Sequence, residues 1–215
     1  LVKPVSPIQV YIACKAVLES NSIITDNVIK EFLSFYKDLN NKFNSAAQFS
    51  DWREIYSNLV EWDLKISDRS MEGLDSIIAE QYQVANKNFE RYVKENYSDW
   101  IQNKGTNPLL SKDIMNHHIF PDLKEDKKTA IIVLDCLRLD QWSIIQDELK
   151  KTYNIDTEYA LSILPSTSLY SRNSIFSGLT ALDLCKNYPD QWELMNSKES
   201  NMNAFEEDLL KENLL

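Results

Sequence analysis

Glycine is nearly missing: three occur in 215 residues, and they do not cluster. A P-loop or a Rossmann turn needs clustered glycines so that backbone amides can approach a phosphate, which counts against both. Histidine is scarcer still, with only the adjacent pair His117 and His118. The three cysteines, Cys14, Cys136 and Cys185, are scattered, odd in number and without zinc-finger spacing. That usage suits a reduced, cytoplasmic protein rather than a disulfide scaffold. No apolar run approaches the roughly 18 residues that would cross a bilayer. Basic charge is also short, 23 Lys and Arg against 33 Asp and Glu for a net charge of −10. Tight non-specific duplex binding rests on clustered Lys and Arg, so it is not expected. Small nucleotides held through metals stay open. Repeats and low-complexity tracts are absent.

Helical periodicity dominates the first half. Thr25 to about Phe43 carries Val28, Phe32, Phe35, Tyr36, Leu39 and Phe43 on one side, with Lys30, Lys37, Asp38 and Lys42 elsewhere. Ser50 is the expected cap of a second run striped by Trp52, Ile55, Leu59, Trp62 and Ile66. Ser70 is the expected start of a third, with Leu74, Ile77, Ile78, Tyr82, Ala85, Phe89, Tyr92, Val93 and Trp100. The pattern predicts an antiparallel helical bundle with one long member, its aromatics serving as core. Residues 103–108 and 122–128 read as linkers. His117 and His118 lie between them on a short helix, where adjacent side chains point apart, so a shared metal is not expected there. A packing or surface role is.

The second half carries the chemistry. Ala130 to Leu134 is a continuous apolar run, as in a parallel strand buried on both faces, and Asp135 closes it. Open α/β sheets place ligands at that edge. A helix is predicted over Leu137 to Lys151, then a strand over Tyr159 to Leu164. Pro165 breaks the strand, Ser166, Thr167 and Ser168 follow, and an amphipathic stretch from Leu169 runs to a stop at Gly178. A hydroxyl in the first turn of that helix has its alkoxide favoured by the macrodipole. A carboxylate and a hydroxyl at one sheet edge can hold a divalent metal and a nucleophile side by side, which points to phosphoester chemistry. The alternative is purely local: Asp135 as a turn residue and the hydroxyls as a helix cap.

These two blocks resemble the start of a PglZ domain, a branch of the alkaline phosphatase superfamily. The match lies in Leu134 to Trp142, with Asp135, Leu137-Arg138 and Asp140-Gln141-Trp142, and in Leu164 to Gly178, with Leu164-Pro165, Ser166 and Ser168, Arg172-Asn173 and Phe176-Ser177-Gly178. The whole chain is similar to PorX-type proteins, response regulators whose output domain is PglZ. The resemblance implies that Asp135 is a zinc ligand and that Ser168, at a position usually Thr, is both nucleophile and metal ligand. Thr167 is the alternative nucleophile after a one-residue shift. Arg172 and Asn173 face a phosphate, support the loop or form a plain surface pair on the helix, and Arg138 and Asp140 are read as residues that support the site from behind or pack.

At the amino end, Leu1 to Val5 followed by Pro7 to Leu18 resembles the last strand and helix of a CheY-like receiver, with Lys3 as the lysine that approaches the phosphorylated aspartate. The expected organisation is the end of an α/β receiver (1–20), an all-α bundle (21–104), a linker (105–128) and the amino-terminal part of an α/β PglZ domain (129–215). Such a chain is expected to be a fragment, inactive alone, because a complete site of this superfamily needs further Asp and His ligands. The resemblance also implies two zinc ions, an upstream histidine kinase, dimerisation on phosphorylation, a small phosphate ester or nucleotide substrate, and control of type IX secretion. A non-catalytic scaffold, or a generic α/β binding protein, remains the alternative.

Overall fold

The computed structural model describes residues 6–20, 26–69, 71, 73–104, 107–125, 128–197, 201 and 203–214. Lys3 and the helix start expected at Ser70 lie outside the described residues. The chain divides into two compact units, Leu1–Ser98 with Leu137–Ile155, and Asp99–Cys136 with Asp156–Leu215.

The first unit is a helical bundle of α1 (Pro7–Ser20), α2 (Asp26–Ser45), α3 (Phe49–Asp68) and α4 (Leu74–Ile101), the last contributing its residues up to Ser98. α1 starts on a capping box, in which Ser6 N–H donates to Gln9 Oε1 at 2.8 Å and Gln9 N–H donates to Ser6 Oγ at 3.3 Å. Its Val10, Cys14 and Val17 join the core with Phe32 and Leu39 of α2, Ile55 and Leu59 of α3, and Leu74 and Ile78 of α4. Steps of three, four and seven residues put each set on one face, so burial follows directly from the period. Burial pushes the Cys14 thiol up to about 11, which keeps it protonated and inert. Phe32 meets Trp62 edge-on at 5.2 Å, and Trp52 lies 5.6 Å from Phe89. The aromatic stripes are core, as their spacing implies. α6 (Leu139–Leu149) packs against α3 within this unit.

α3 is capped differently from the expectation at Ser50. The Asp51 carboxylate accepts N–H bonds from Ala47 and Gln48, each at 2.9 Å. Those two donors hold the Asp51 carboxyl below the usual carboxylate range. A depressed folded pKa means the contribution is present at neutral pH and is lost as pH falls below the ordinary aspartate value toward the folded one. Asp51→Ala is expected to cost about 1 kcal/mol at pH 7, as for loss of a helix cap, and progressively less in acid, read by urea denaturation at several pH values.

The second unit holds a 3₁₀ turn (Ser111–Asp113), a π turn (Met115–Ile119), α5 (Phe120–Lys124), α7 (Ser168–Ser177), α8 (Ala181–Asn187), α9 (Pro189–Met195) and α10 (Glu206–Leu214). α7 packs against α10 and the 3₁₀ turn. Leu110, Met115, Ile163, Leu184, Met195 and Leu209 are buried within it. Residues 109–124, read from sequence as linker, thus carry buried side chains of their own.

The α/β expectation is not met among the described residues, which are mostly helical and contain no strand. Ala130 to Leu134 carries no regular secondary structure, with Ile132 81% and Leu134 59% exposed. Tyr159 to Leu164 makes one isolated parallel bridge, Leu161 with Leu110. Ser111 N–H donates to the Leu161 carbonyl and Leu161 N–H to the Leu109 carbonyl, both at 2.8 Å. An apolar run encodes the preference for burial, but a strand exists only through a neighbour's hydrogen bonds, and among the described residues no strand flanks 130–134. For the receiver, residues 1–5 lie outside the described set, and α1 belongs to the bundle core. No helix among the described residues is long and apolar enough to cross a membrane.

Gly178 ends α7 with φ +70°, donating its N–H to the Ser174 carbonyl at 3.0 Å. A Cβ there would lie 2.9 Å from Asn213 Oδ1, and Asn213 is itself bonded to the Phe176 carbonyl from α10. Gly178→Ala therefore combines left-handed strain with a clash at the α7–α10 contact. The expected loss is about 1–2 kcal/mol, measured by thermal unfolding.

Candidate active site

Asp135 follows the 128–134 segment at a turn, and Ser168 stands in the first turn of α7. Between Ile163 and α7 the chain passes a cis Leu164–Pro165 bond. Thr167 occupies the cap position, and its carbonyl accepts the N–H groups of Tyr170 at 3.0 Å and Ser171 at 2.8 Å. Ser171 Oγ donates to the carbonyls of Ser166 at 3.3 Å and Thr167 at 3.0 Å, bracing the loop. Tyr170 stacks on Trp192 at 5.3 Å and donates its hydroxyl to Asn196 Oδ1, fixing α7 against α9.

Ser168 Oγ donates a hydrogen bond to Asp135 Oδ2 at 3.0 Å. Asp135 Oδ1 accepts the N–H of Cys136 at 2.9 Å. Cys136 holds φ +59°, a left-handed conformation that costs a non-glycine residue about 1 kcal/mol or more and turns the chain sharply after the carboxylate. Arg172, one turn along α7 from Ser168, reaches Asp135 Oδ2 with Nη1 at 3.4 Å. The same guanidinium pairs with Glu206 of α10, Nε to Oε1 and Nη2 to Oε2, both at 2.7 Å. The Ser168 hydroxyl first, then the Cys136 amide and Arg172, hold the Asp135 carboxyl below the usual carboxylate range. Asp135 is therefore an anion at neutral pH, an acceptor rather than a proton donor.

The remaining expected residues separate from this cluster. Thr167 is exposed and its side chain makes no capping bond. Asn173 is fully buried, donating through Nδ2 to the Leu169 carbonyl at 2.7 Å and lying 3.2 Å from Met195 Sδ. Buried in this way, it braces the backbone of α7 from within. Arg138 grips Asp140 through Nε and Nη2 at 3.0 and 2.7 Å on the first turn of α6, in the other unit. Glu206 was not anticipated: it sits in an acidic first turn with Glu207 and Asp208, and no local signal marks which of the three turns inward.

Asp135 and Ser168 fit a zinc ion in kind. A carboxylate and a hydroxyl oxygen 3.0 Å apart stand near the separation of about 3.3 Å that two oxygen ligands take around one tetrahedral zinc. Residues 22–101 match the PorX response regulator linker domain, and residues 114–214 match the BREX system PglZ alkaline phosphatase-like domain. Both matches agree with the PorX-type, PglZ-containing resemblance read from the sequence. No curated protein matches it. The PglZ match includes both the Asp135 block and the Ser168 block. The PorX linker match coincides with α2, α3 and α4, so the bundle is similar to a response-regulator linker, a likeness that implies a kinase-signalling context.

Proposed function

We propose that the PglZ domain is the metal-dependent phosphoesterase output of a response regulator, with Ser168 as nucleophile and Asp135 as metal ligand. The observation that carries this reading is the 3.0 Å contact between Ser168 Oγ and Asp135 Oδ2, formed by residues 33 apart in sequence. A pure helix cap would not need a carboxylate brought from a distant segment. Thr167, exposed and one residue too early, lacks that partner and is the weaker nucleophile.

Asp135 orients the Ser168 hydroxyl, and the α7 dipole favours negative charge on Oγ. Zinc, when bound, supplies Lewis-acid charge that lowers the hydroxyl pKa and offsets charge on the phosphoryl oxygens. Ser168 Oγ forms the new O–P bond as the P–O bond to the leaving group breaks, and water then hydrolyses the phosphoserine. Arg172 is placed to hold a non-bridging oxygen, for which it must exchange part of its pairing with Asp135 and Glu206. Asn173 holds the α7 backbone. The sheet of an alkaline-phosphatase-like α/β domain would use Ala130 to Leu134 and Tyr159 to Leu164 as strands, and the boundaries 1–20, 21–104, 105–128 and 129–215 follow from the same reading.

The wider setting belongs to this proposal: a cytoplasmic regulator phosphorylated by a histidine kinase through a receiver containing Lys3, a phosphorylated dimer, two zinc ions, a phosphodiester or nucleotide substrate, and control of type IX secretion. One observation favours a scaffold instead. Arg172 is already neutralised on two sides by carboxylates, which leaves less of its charge for a substrate.

Chelation separates the two readings. In the full-length protein, removal of metal is expected to abolish hydrolysis of bis(p-nitrophenyl) phosphate, and added zinc to restore it. Turnover that survives chelation with no zinc detected by mass spectrometry would contradict the metal-dependent mechanism, and no turnover at any zinc level would favour the scaffold.

A further inference from the structure

We propose that His117, His118 and Glu158 form a divalent transition-metal site whose ligands are distinct from Asp135 and Ser168. The two imidazoles sit on the π turn Met115–Ile119, whose wider coil brings consecutive side chains closer than an α-turn does. Their ring centroids lie 4.6 Å apart, at 85° to one another. His118 Nε2 stands 3.5 Å from Glu158 Oε2, and the three residues each present a ligand atom within 4.8 Å of the others. This overturns the expectation that adjacent histidines diverge, because that argument assumed an α-helix.

The backbone explains why three residues from two segments meet. Glu158 precedes Leu161, which bridges to Leu110, and the π turn begins a few residues after Leu110. Ile163 N–H donating to Ser111 Oγ at 3.1 Å reinforces the same register. The 156–161 segment is thereby held alongside the π turn. Beside the triad opens a cavity of about 480 Å³ lined by Leu109, Ile114, His118, Asp156, Glu158 and Tyr159.

Donor chemistry selects the ion. Two neutral imidazoles and one carboxylate suit zinc and its first-row neighbours, whereas magnesium and calcium take oxygen shells. Three protein ligands leave a coordination position for water on the cavity side. Zinc–nitrogen bonds of about 2.0–2.1 Å require the ligand atoms to draw in to about 3.3 Å apart. His117 and Glu158 are exposed and His118 half-buried, so side-chain rotation achieves this without moving the backbone. Once bound, the ion ties the π turn to the segment that leads into the Pro165–Ser168 loop. It acts as a clip for the nucleophile loop and takes no part in the reaction.

The test uses the full-length protein, stripped of metal and titrated with zinc chloride alone. Bound zinc is counted by mass spectrometry, and cobalt(II) serves as a visible-absorption probe of nitrogen and oxygen ligation. Wild type is compared with His117→Ala/His118→Ala, Glu158→Gln and the reference pair Asp135→Asn/Ser168→Ala. The expected result is one equivalent fewer in the histidine variant, at least tenfold weaker binding of that equivalent in Glu158→Gln, and its retention in the reference pair. Without metal, the His and Glu variants should melt as wild type does, since none of the three side chains is buried, and only wild type and the reference pair should gain thermal stability from this equivalent. Equal zinc counts and equal zinc-induced stabilisation in wild type and the histidine variant would overturn the proposal. So would loss of the same equivalent in the reference pair, while a reference pair that simply loses turnover bears only on the active site.

Discussion

Replacing Ser168 by alanine is expected to lower phosphodiester turnover of the full-length protein about a thousandfold or more, as removal of a covalent nucleophile does. Thr167→Ala is expected to cost less than about tenfold, because its side chain lies outside the cluster around Asp135. The contrast follows from the contact each hydroxyl makes. Ser168 Oγ has Asp135 Oδ2 at 3.0 Å, while the Thr167 side chain is exposed. Arg172→Gln should give a third behaviour. It leaves the hydroxyl–carboxylate contact in place while removing the cation beside it, so the Asp135 carboxyl should titrate nearer its ordinary range by NMR. Turnover should fall chiefly through weaker handling of phosphate charge. Equal losses in Ser168→Ala and Thr167→Ala would show that the loop acts as a structural unit rather than through one oxygen.

The second large effect is on the helical bundle. Phe32 is fully buried and packs edge-on against Trp62 within the four-helix core. Phe32→Ala removes a ring from a site that cannot collapse around the loss, for an expected cost of about 3–5 kcal/mol. For a unit of this size that corresponds to a melting-temperature drop of roughly 12 °C or more. Ile8 supplies the control, since it lies on the outer face of α1 and is 71% exposed. Ile8→Ala is expected to stay within about 0.5 kcal/mol of wild type. If both substitutions cost the same, the face of each helix that points inward has been misjudged.

What sequence could and could not say divides along the range of the forces involved. Helix periodicity is local, so Phe32, Leu39, Ile55, Leu59, Leu74 and Ile78 were legible as an inward face before any coordinate was known. Helix ends were less so, because caps depend on which side chain wins. Ser50 looks the better cap, yet Asp51 takes the two amides, since an ionised acceptor forms the stronger hydrogen bonds. Strands were the least legible: the run 130–134 has the composition of a buried strand yet is not one among the described residues, because composition does not supply the neighbouring edge. The convergence of the histidine pair was hidden for a related reason, as the π turn that gathers it has no simple sequence signature. Glu206 was invisible because its partner Arg172 lies 34 residues away. Asp135 and Ser168, by contrast, were named from the ends of two segments and from resemblance, and their oxygens lie in hydrogen-bond contact.

The central claim is that the Ser168 oxygen attacks phosphorus. The most direct measurement is acid-quenched reaction of the zinc-loaded, full-length protein with bis(p-nitrophenyl) phosphate, followed by tandem mass spectrometry of the peptide spanning Pro165 to Arg172. The account predicts an aryl phosphate on Ser168, absent from Ser168→Ala and retained in Thr167→Ala. A label on Thr167, or sustained turnover with an unmodified peptide, would contradict it.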